Sequence, residues 1–446
     1  MTLLALGSCR RGAVETDIRL VDGRRIAWFR LAGGAHRGAI GPDEGEAIAQ
    51  LVHTAIALGV PVVGAVATSG AAVDHGIASL GAWGRVAKAL VDASGVVPIG
   101  LAIVGPCVAG PSLLLGLADV VAMSRGASAF VSGPRAVASM TGMTIDAVGL
   151  GGLDIHSARS GLAALSAEDE ADAVAAVMHA LSYLPANNIE SPPSYRSDDP
   201  VDRDCNATVP RSPNVAYDVR IVVDEVVDRG STFEMWARHA PNLVTSFARV
   251  DGRPVGVLAN QPAALAGTID IAASCKGARF VQLCDAFNVP LLTFVDTPGF
   301  QPGKDLEWRG MIRHGAKLVH AYAAASVPRV CVILRKAYGG AYIVMDSRSM
   351  GSDCCVAWPT AEIAVMGAEG AVQVLHGRGG LTDIERSGLV ADYASAYCTP
   401  AIAAERGYVD TVIDPADTRR IVVDALSALS SKRVPYERAR HANPPQ

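Results

Sequence analysis

Charge is scarce in this chain. Only 19% of the 446 residues are charged, and 44 acidic against 39 basic side chains leave a net charge of -5. Nothing broad and electrostatic draws it to DNA or RNA, which excludes nucleic acid as a partner. Metal-ligand spacing is missing as well. Of nine cysteines only Cys354 and Cys355 lie close in sequence, and no C-x-x-C pair or Cys/His cluster occurs. This excludes structural zinc and points to a reduced, cytoplasmic protein without metal. No membrane span is expected. Ser94 to Ala118 carries no charge for 25 residues, but Pro98, Pro106 and Pro111 break any helix there, so it reads as a buried strand, a turn and a helix start. Met1–Leu6 is shorter than a signal h-region and has Arg10 and Arg11 on the wrong side, which argues against secretion. No G-x-x-x-x-G-K-[ST] occurs either. Asp296-Thr297-Pro298-Gly299 resembles a nucleotide switch loop, yet nothing would cradle a β-phosphate, so it reads as the loop after a Leu291–Val295 strand. Ser/His/Asp sets and paired carboxylates are absent in any convincing form.

What is present is glycine, 45 residues of it, in a chain that is half hydrophobic and long enough for two cores. So many glycines suggest tight turns and backbone brought close to a ligand. A tandem repeat organises them. V-D-G-R-R-I-A-W-F starts at Val21 and V-D-G-R-P-V-G-V-L at Val250, an offset of 229 (250 − 21). Val60-Pro61 and Val289-Pro290 each lead an apolar run at the same offset of 229 (290 − 61). Val97-Pro98 and Val327-Pro328 open Ile99–Val104 and Arg329–Leu334 at an offset of 230 (328 − 98). Both of these runs end in small residues, Val108-Ala109-Gly110 and Gly339-Gly340-Ala341.

Helical periodicity separates the strands at Glu44–Leu58, Leu80–Ala93, Ile269–Phe287 and Gly310–Ala325. Ile312, Ala316, Val319 and Ala323 share one face of the last. Alternating strand and helix argue for an α/β class with one domain per half. The expected boundaries are a first domain over 1–190, a Pro-rich polar linker over 191–213 and a second domain over 214–446.

The motif string from Tyr183 onward resembles the carboxyltransferase β subunits of biotin-dependent acyl-CoA carboxylases, the propionyl-CoA and acetyl-CoA carboxylase family. The runs that carry the likeness are Ser182–Asn188, Ala240–Pro262, Thr293–Gly303, Arg313–Tyr322, Arg335–Tyr342, Ala357–Val372 and Ala403–Asp410. Ala93–Pro98, Gly105–Gly110 and Val131–Pro134 resemble it more loosely, and Gly116-Leu117-Ala118-Asp119 is similar to the crotonase superfamily. The resemblance implies two tandem crotonase-like ββα superhelix domains, the first on the acyl-CoA side and the second on the biotin side. Two departures stand out. Ser69-Gly70-Ala71-Ala72 stands where the family carries S-G-A-R, and fewer residues precede the first strand than is usual.

The implied activity moves CO2 from carboxybiotin to the α-carbon of a short acyl-CoA, acetyl-CoA or propionyl-CoA. That needs an enolate, and main-chain N–H groups at a helix start stabilise its oxygen without a side chain. The resemblance assigns Ala109 and Gly110 to the acyl-CoA enolate and Gly340 and Ala341 to the biotin ureido oxygen, with Gly339, Tyr342 and Ile343 binding substrate. Isoleucine at 343 goes with acceptance of acetyl-CoA. The protein need supply no general base, since biotin itself accepts the α-proton once CO2 is released. His156 and Glu307 lie near predicted site loops and read as surface or structural residues. Lys336 precedes the second turn, but no lysine is flanked by methionines in a biotin-attachment pattern and no ATP-binding loop is visible. Biotin therefore arrives on a biotin carboxylase and carrier partner, and the family assembles as a homo-hexamer. Three rival readings remain: a crotonase-type hydratase or isomerase, a biotin-dependent acyl-CoA decarboxylase, and a non-catalytic scaffold that has lost acyl-CoA binding.

Overall fold

The computed structural model describes residues 8–33, 37–377, 381–432, 434 and 445; the Met1–Leu6 stretch lies outside them. The chain divides into two compact units. The first holds Met1–Pro193 with Trp236–His239 and Ala286–Asn288, and the second holds Ser194–Met235, Ala240–Asp285 and Val289–Gln446.

In the first unit, β1 (Cys9–Arg11), β2 (Val14–Val21) and β3 (Arg24–Leu31) form an antiparallel edge. Asp22 and Gly23, at φ 49° and 79°, make the two-residue β2–β3 turn that matches the strands' twist. The chain then crosses by α1 (Pro42–Leu58) to β4 (Val62–Thr68), and by α2 (Ile77–Ala93) to β5 (Ile99–Val108). β6 (Val120–Ser124) and β7 (Ser128–Phe130) both pair with β5. Two short helices follow, α3 (Pro134–Thr141) and α4 (Ala147–Gly151), then β8 (Leu165–Ala167) and α5 (Glu170–Leu181). The sheet order is β1-β2-β3-β4-β5-β6-β8, with β7 beside β5.

β4 and β5 lie inside a parallel sheet, which is why they read as unbroken apolar runs rather than as alternation. α1 starts on Pro42 and stops at Gly59 in the left-handed conformation, the usual asymmetry of helix ends. It approaches α2 so closely that a Cβ on Gly45 would stand 2.7 Å from that of Ala82. The helix start expected after β5 is a 3-10 turn over Gly110–Leu117. The chain must re-enter the sheet at Val120, and Asp119 ties it there: its carboxylate accepts from Ile99 N (2.9 Å) and its own N–H donates to Ile99 O (2.8 Å).

The second unit repeats this plan. It opens with α6 (Arg220–Val226), followed by β9 (Phe233–Met235), β10 (Leu243–Val250) and β11 (Arg253–Asn260). Crossovers through α7 (Ile271–Ala286) to β12 (Leu291–Thr297), and through α8 (Lys304–Trp308) and α9 (Met311–Ala324) to β13 (Arg329–Tyr338), build its parallel part. α10 (Gly339–Val344), β14 (Cys354–Ala357), β15 (Glu362–Ala364), α11 (Ala368–His376) and α12 (Asp383–Tyr393) come next. α13 (Pro400–Glu405), β16 (Thr411–Val412) and α14 (Thr418–Ala428) complete it. Its sheet order, β16-β14-β13-β12-β11-β10-β9 with β15 beside β13, mirrors the first strand for strand.

Register shows how deep the repeat goes. Ala27 faces Val62 as Gly256 faces Leu291, and both β4–β5 and β12–β13 slip register at one place, between Val66 and Thr68 and between Val295 and Thr297. Asp251 and Gly252 repeat the left-handed pair, at φ 50° and 74°. This is the α/β class expected from the alternation of strand and helix. The four helices expected from periodicity form within three residues of their expected starts.

The Pro-rich stretch read as a linker over 191–213 is, from Ser194 on, part of the second unit. Tyr195 N donates to Gly252 O (2.9 Å), Arg203 Nη1 to Val227 O (2.6 Å), and Cys205 and Val209 join the core. Linker composition reports the lack of regular hydrogen bonding within a segment. It does not report whether neighbouring backbone supplies partners, as it does here.

Candidate active site

Each unit has a sharp turn where its longest parallel strand meets a helix. In the second unit β13 ends at Tyr338, and Gly339 follows at φ 58°, where a Cβ would stand 3.0 Å from Val365 O; only glycine takes this conformation at little cost. α10 then places Gly340, Ile343 and Val344 on one face by the i, i+3, i+4 rule. Those three line a cavity of about 480 Å3 together with Phe300, Glu307, Met311, Ile312, Gly315, Ala316 and Val319. Ile312, Ala316 and Val319 are residues whose shared face the periodicity predicted. The cavity is apolar apart from Glu307 and the main chain.

Gly340 is exposed, and no side chain or loop carbonyl accepts from its N–H among the described residues. Ala341, expected beside it as a second donor, is fully covered, and Tyr342, expected at the substrate, is 7% exposed and not among the lining residues. The helical phase is the reason: positions 341 and 342 turn to the core when 340 and 343 turn outward. Tyr342 packs near Cys331 and Cys355, and burial pushes its phenol well above the usual range.

A second loop, after β12, adjoins this turn. Thr297 Oγ1 accepts from Gly299 N at 3.4 Å, and Phe300 forms a parallel bridge with Ile269 through Ile269 N to Gly299 O (3.1 Å) and Gln301 N to Ile269 O (2.9 Å). The bridge leaves the Phe300 N–H aimed away from Ile269, and it finds no acceptor among the described residues. The Phe300 ring lies 3.5 Å from the place a Gly340 Cβ would take. One unengaged amide from each loop therefore borders the cavity region.

The first unit has the same two loops. Ala71 bridges Ile40 as Phe300 bridges Ile269, with Ile40 N to Gly70 O (2.8 Å) and Ala72 N to Ile40 O (3.0 Å), and the Ala71 N–H likewise has no acceptor among the described residues. Gly110, at the head of the 3-10 turn, has an unengaged N–H by the same measure, and the Trp83 ring lies 3.1 Å from its Cβ position. Ala109 does not fit the donor role expected of it. Its N–H already donates to Phe130 O at 3.1 Å, because the chain there still follows the β5–β7 ladder. Ala109, at φ 61°, is the counterpart of Gly339, so the two residue pairs named from the sequence are one position out of step with each other. Pro111, the counterpart of Ala341, has no N–H at all.

His156 uses both ring nitrogens internally, Nδ1 with Ser160 Oγ (2.7 Å) and Nε2 with Ala129 O (2.8 Å), and so fixes β7 rather than facing a ligand. Glu307 is exposed at the cavity. Lys336 donates its backbone N–H to Asp296 Oδ1 at 3.1 Å. The Ala71 and Phe300 amides escaped the sequence reading. The signal that finds them is the repeat itself, since both follow their repeat marks at the offset of 229 (300 − 71). The described residues hold no group of three or more His, Cys, Asp or Glu placed for a metal ion, and no helix among them is long and apolar enough to cross a membrane.

The chain has counterparts among known proteins. The family described as carboxyl transferase domain matches residues 4–443. The chain belongs to that family. It is 43% identical to the propionyl-CoA carboxylase beta chain of Saccharopolyspora erythraea, over 97% of this chain and 83% of the relative. It is 40% identical to the methylmalonyl-CoA decarboxylase subunit alpha of Veillonella parvula, over 97% and 85%. A solved structure of transcarboxylase 12S, a hexamer with hydrolysed methylmalonyl-coenzyme A bound, superposes with a TM-score of 0.95 at 41% identity, covering 97% of this chain and 85% of that one. This carboxyl transferase chain is thus a carboxyltransferase of the biotin-dependent acyl-CoA carboxylases.

Proposed function

We propose that this carboxyltransferase moves CO2 from carboxybiotin, carried on a separate biotin carboxylase and carrier partner, to the α-carbon of acetyl-CoA or propionyl-CoA. The carrying observation is the pair of unengaged amides in each unit, Ala71 and Gly110 in the first, Phe300 and Gly340 in the second. Hydrogen-bond donors fixed before reaction stabilise an oxygen that becomes anionic, and removal of one such donor typically costs about 10²–10³ in rate. Gly110 and Ala71 hold the thioester enolate oxygen; Gly340 and Phe300 hold the ureido oxygen. Biotin supplies the CO2 and accepts the α-proton, so the chain need contribute no general base. Ile343, 38% exposed on the wall of the cavity, limits the acyl group, with Gly339 setting the turn that presents it. Ala341 is covered, and its N–H, like that of Gly340, meets no acceptor among the described residues, so it stands as a second donor beside Gly340. The first unit's donors serve the thioester oxygen and the second unit's the biotin oxygen; the chain works in the cytoplasm as a homo-hexamer.

The test is carboxylation of an acyl-CoA panel after mixing with a biotinylated carrier, biotin carboxylase, ATP and bicarbonate, with products read by mass spectrometry. Formation of malonyl-CoA or methylmalonyl-CoA supports the proposal. No carboxylated product from any acyl-CoA refutes it.

One observation favours a weakly active or scaffold reading. The first turn has lost two N–H groups to an internal bond at Ala109 and to Pro111, and Ala72 stands where an arginine is usual. Calorimetry separates the two: no heat with acetyl-, propionyl- or longer acyl-CoA would favour the scaffold. The decarboxylase direction, supported by the 40% identity to a methylmalonyl-CoA decarboxylase subunit, is separated by offering a malonyl-type thioester and unloaded biotin carrier.

A further inference from the structure

Although the two units match strand for strand, they differ at a buried place beside the site loops. Asp296, 1% exposed near the end of β12, accepts from Arg335 Nε (3.0 Å), Tyr217 Oη (2.9 Å) and the Lys336 backbone N–H (3.1 Å). Arg335, 4% exposed, donates Nη1 to Ser212 O and Val215 O, both at 2.9 Å, and stacks over the Tyr217 ring. Asp296 N also donates to Asn260 Oδ1 at 3.3 Å. Three of the carboxylate's four lone-pair sites are thus taken, two on Oδ2 and one on Oδ1, and they tie β12 to β13 and to Tyr217. Four residues beyond it is Phe300, and four beyond Lys336 is Gly340.

At the matching place in the first unit stand Ala67 (296 − 229) and Gly105 (335 − 230). There the strands meet by bare packing, with a Cβ on Gly105 only 2.9 Å from that of Ala67. Among the described residues, nothing charged braces the first unit's loops at this position.

We infer that Asp296 and Arg335 are positioning residues for carboxyl transfer, a buried pair that sets the Phe300 and Gly340 amides relative to one another. This rests on the carboxyltransferase reading. Main-chain donors work only where geometry is held to a fraction of an ångström, and the second unit holds it by charge-assisted hydrogen bonds whose directions are fixed. Burial pushes the Asp296 carboxyl pKa up, with Arg335 opposing, so the pair sits in a site where loss of either charge is felt.

The same unit contains a matched control. Asp228 pairs with buried Arg419 (2.7 Å) and accepts from Asp251 N and Gly252 N, at the hairpin turn rather than at the β12 and β13 ends. Asp296→Asn, Asp228→Asn and the milder Arg335→Lys would be compared with wild type in the complete carboxylase mixture, with kcat, KM and urea midpoint read for each. Asp296→Asn is expected to lower kcat by about 10²-fold, the scale of a small misplacement of reacting groups, with KM for acyl-CoA changed less than about twofold. Arg335→Lys should lower kcat in the same manner, while Asp228→Asn loses stability and keeps kcat. Wild-type kcat in Asp296→Asn, or parallel losses of kcat and midpoint in all three variants, overturns the inference. If Asp296→Asn fails to fold, wild-type kcat in Arg335→Lys overturns it alone. An inactive wild type overturns the carboxyltransferase reading, and the inference with it.

Discussion

Replacing Ala109 by glycine should make the protein more stable, against the usual effect of adding a glycine. Ala109 sits at φ 61°, ψ −157°, a region that glycine enters freely and that holds residues with a Cβ at a cost of about 1–3 kcal/mol. Three hydrogen bonds pin it there: its N–H to Phe130 O (3.1 Å), and Ser112 N (3.0 Å) and Ser112 Oγ (2.7 Å) to its carbonyl. The methyl group is exposed, so its removal leaves no cavity and forfeits little buried area. Against the relief of strain stands the greater freedom of glycine in the unfolded chain, about 0.4–1 kcal/mol. The balance favours Ala109→Gly by about 0.5–2 kcal/mol, which for a unit of this size raises Tm by about 2–4 °C per kcal/mol. Equilibrium urea denaturation followed by circular dichroism measures it, as a higher midpoint at unchanged slope. A midpoint that stays put or falls refutes the reasoning: either the methyl packs favourably or the turn relaxes at no cost. Gly339 takes the same φ in the second unit, so the variant makes the two turns alike.

Burial pushes the Lys276 ammonium down to about 7, so between that value and the ordinary 10.5 the unfolded chain binds more protons and folding stability rises with pH. Lys276→Met should remove a slope of about 1 kcal/mol per pH unit between pH 7.5 and 8.5, read from urea midpoints at several pH values; an unchanged slope counts against a neutral buried lysine. Tyr217→Phe deletes the hydroxyl bonded to Asp296 at 2.9 Å and should cost about 1–2 kcal/mol in urea denaturation, with no loss showing that water replaces it. Ile343→Asp should shift the ratio of kcat/KM for propionyl-CoA over acetyl-CoA by about 10-fold or more, the scale of one pocket contact, and an unchanged ratio removes Ile343 from the acyl wall.

Much of the architecture was legible in the residues because its signals are local. Asp22-Gly23 and Asp251-Gly252 demand the same left-handed turn, Val-Pro pairs open strands, and the 3.6-residue period of Ile312, Ala316 and Val319 marks a helix face that does border the cavity. Register between strand and helix marks, held at 229 or 230 residues, revealed two copies of one sheet before any sheet was seen. The site was legible only in outline. Small residues at 109–110 and 339–341 marked the turns, but which amide is engaged depends on Phe130, some twenty residues on, and which face of α10 looks outward depends on packing against Cys331 and Cys355.

By itself, then, the sequence determined the repeat and the strand and helix order, since these follow from spacing along the chain, and its motif runs carried the resemblance to the family. Tertiary structure alone decided that Ala341 is covered, that Ala71 and Phe300 carry unengaged amides, that residues from Ser194 on pack into the second unit, and that Asp296 meets Arg335 across 39 residues. Hydrogen-bond partners are set by which strands become neighbours, and neighbours in a parallel sheet are joined by crossovers too long for local pattern to fix their contacts.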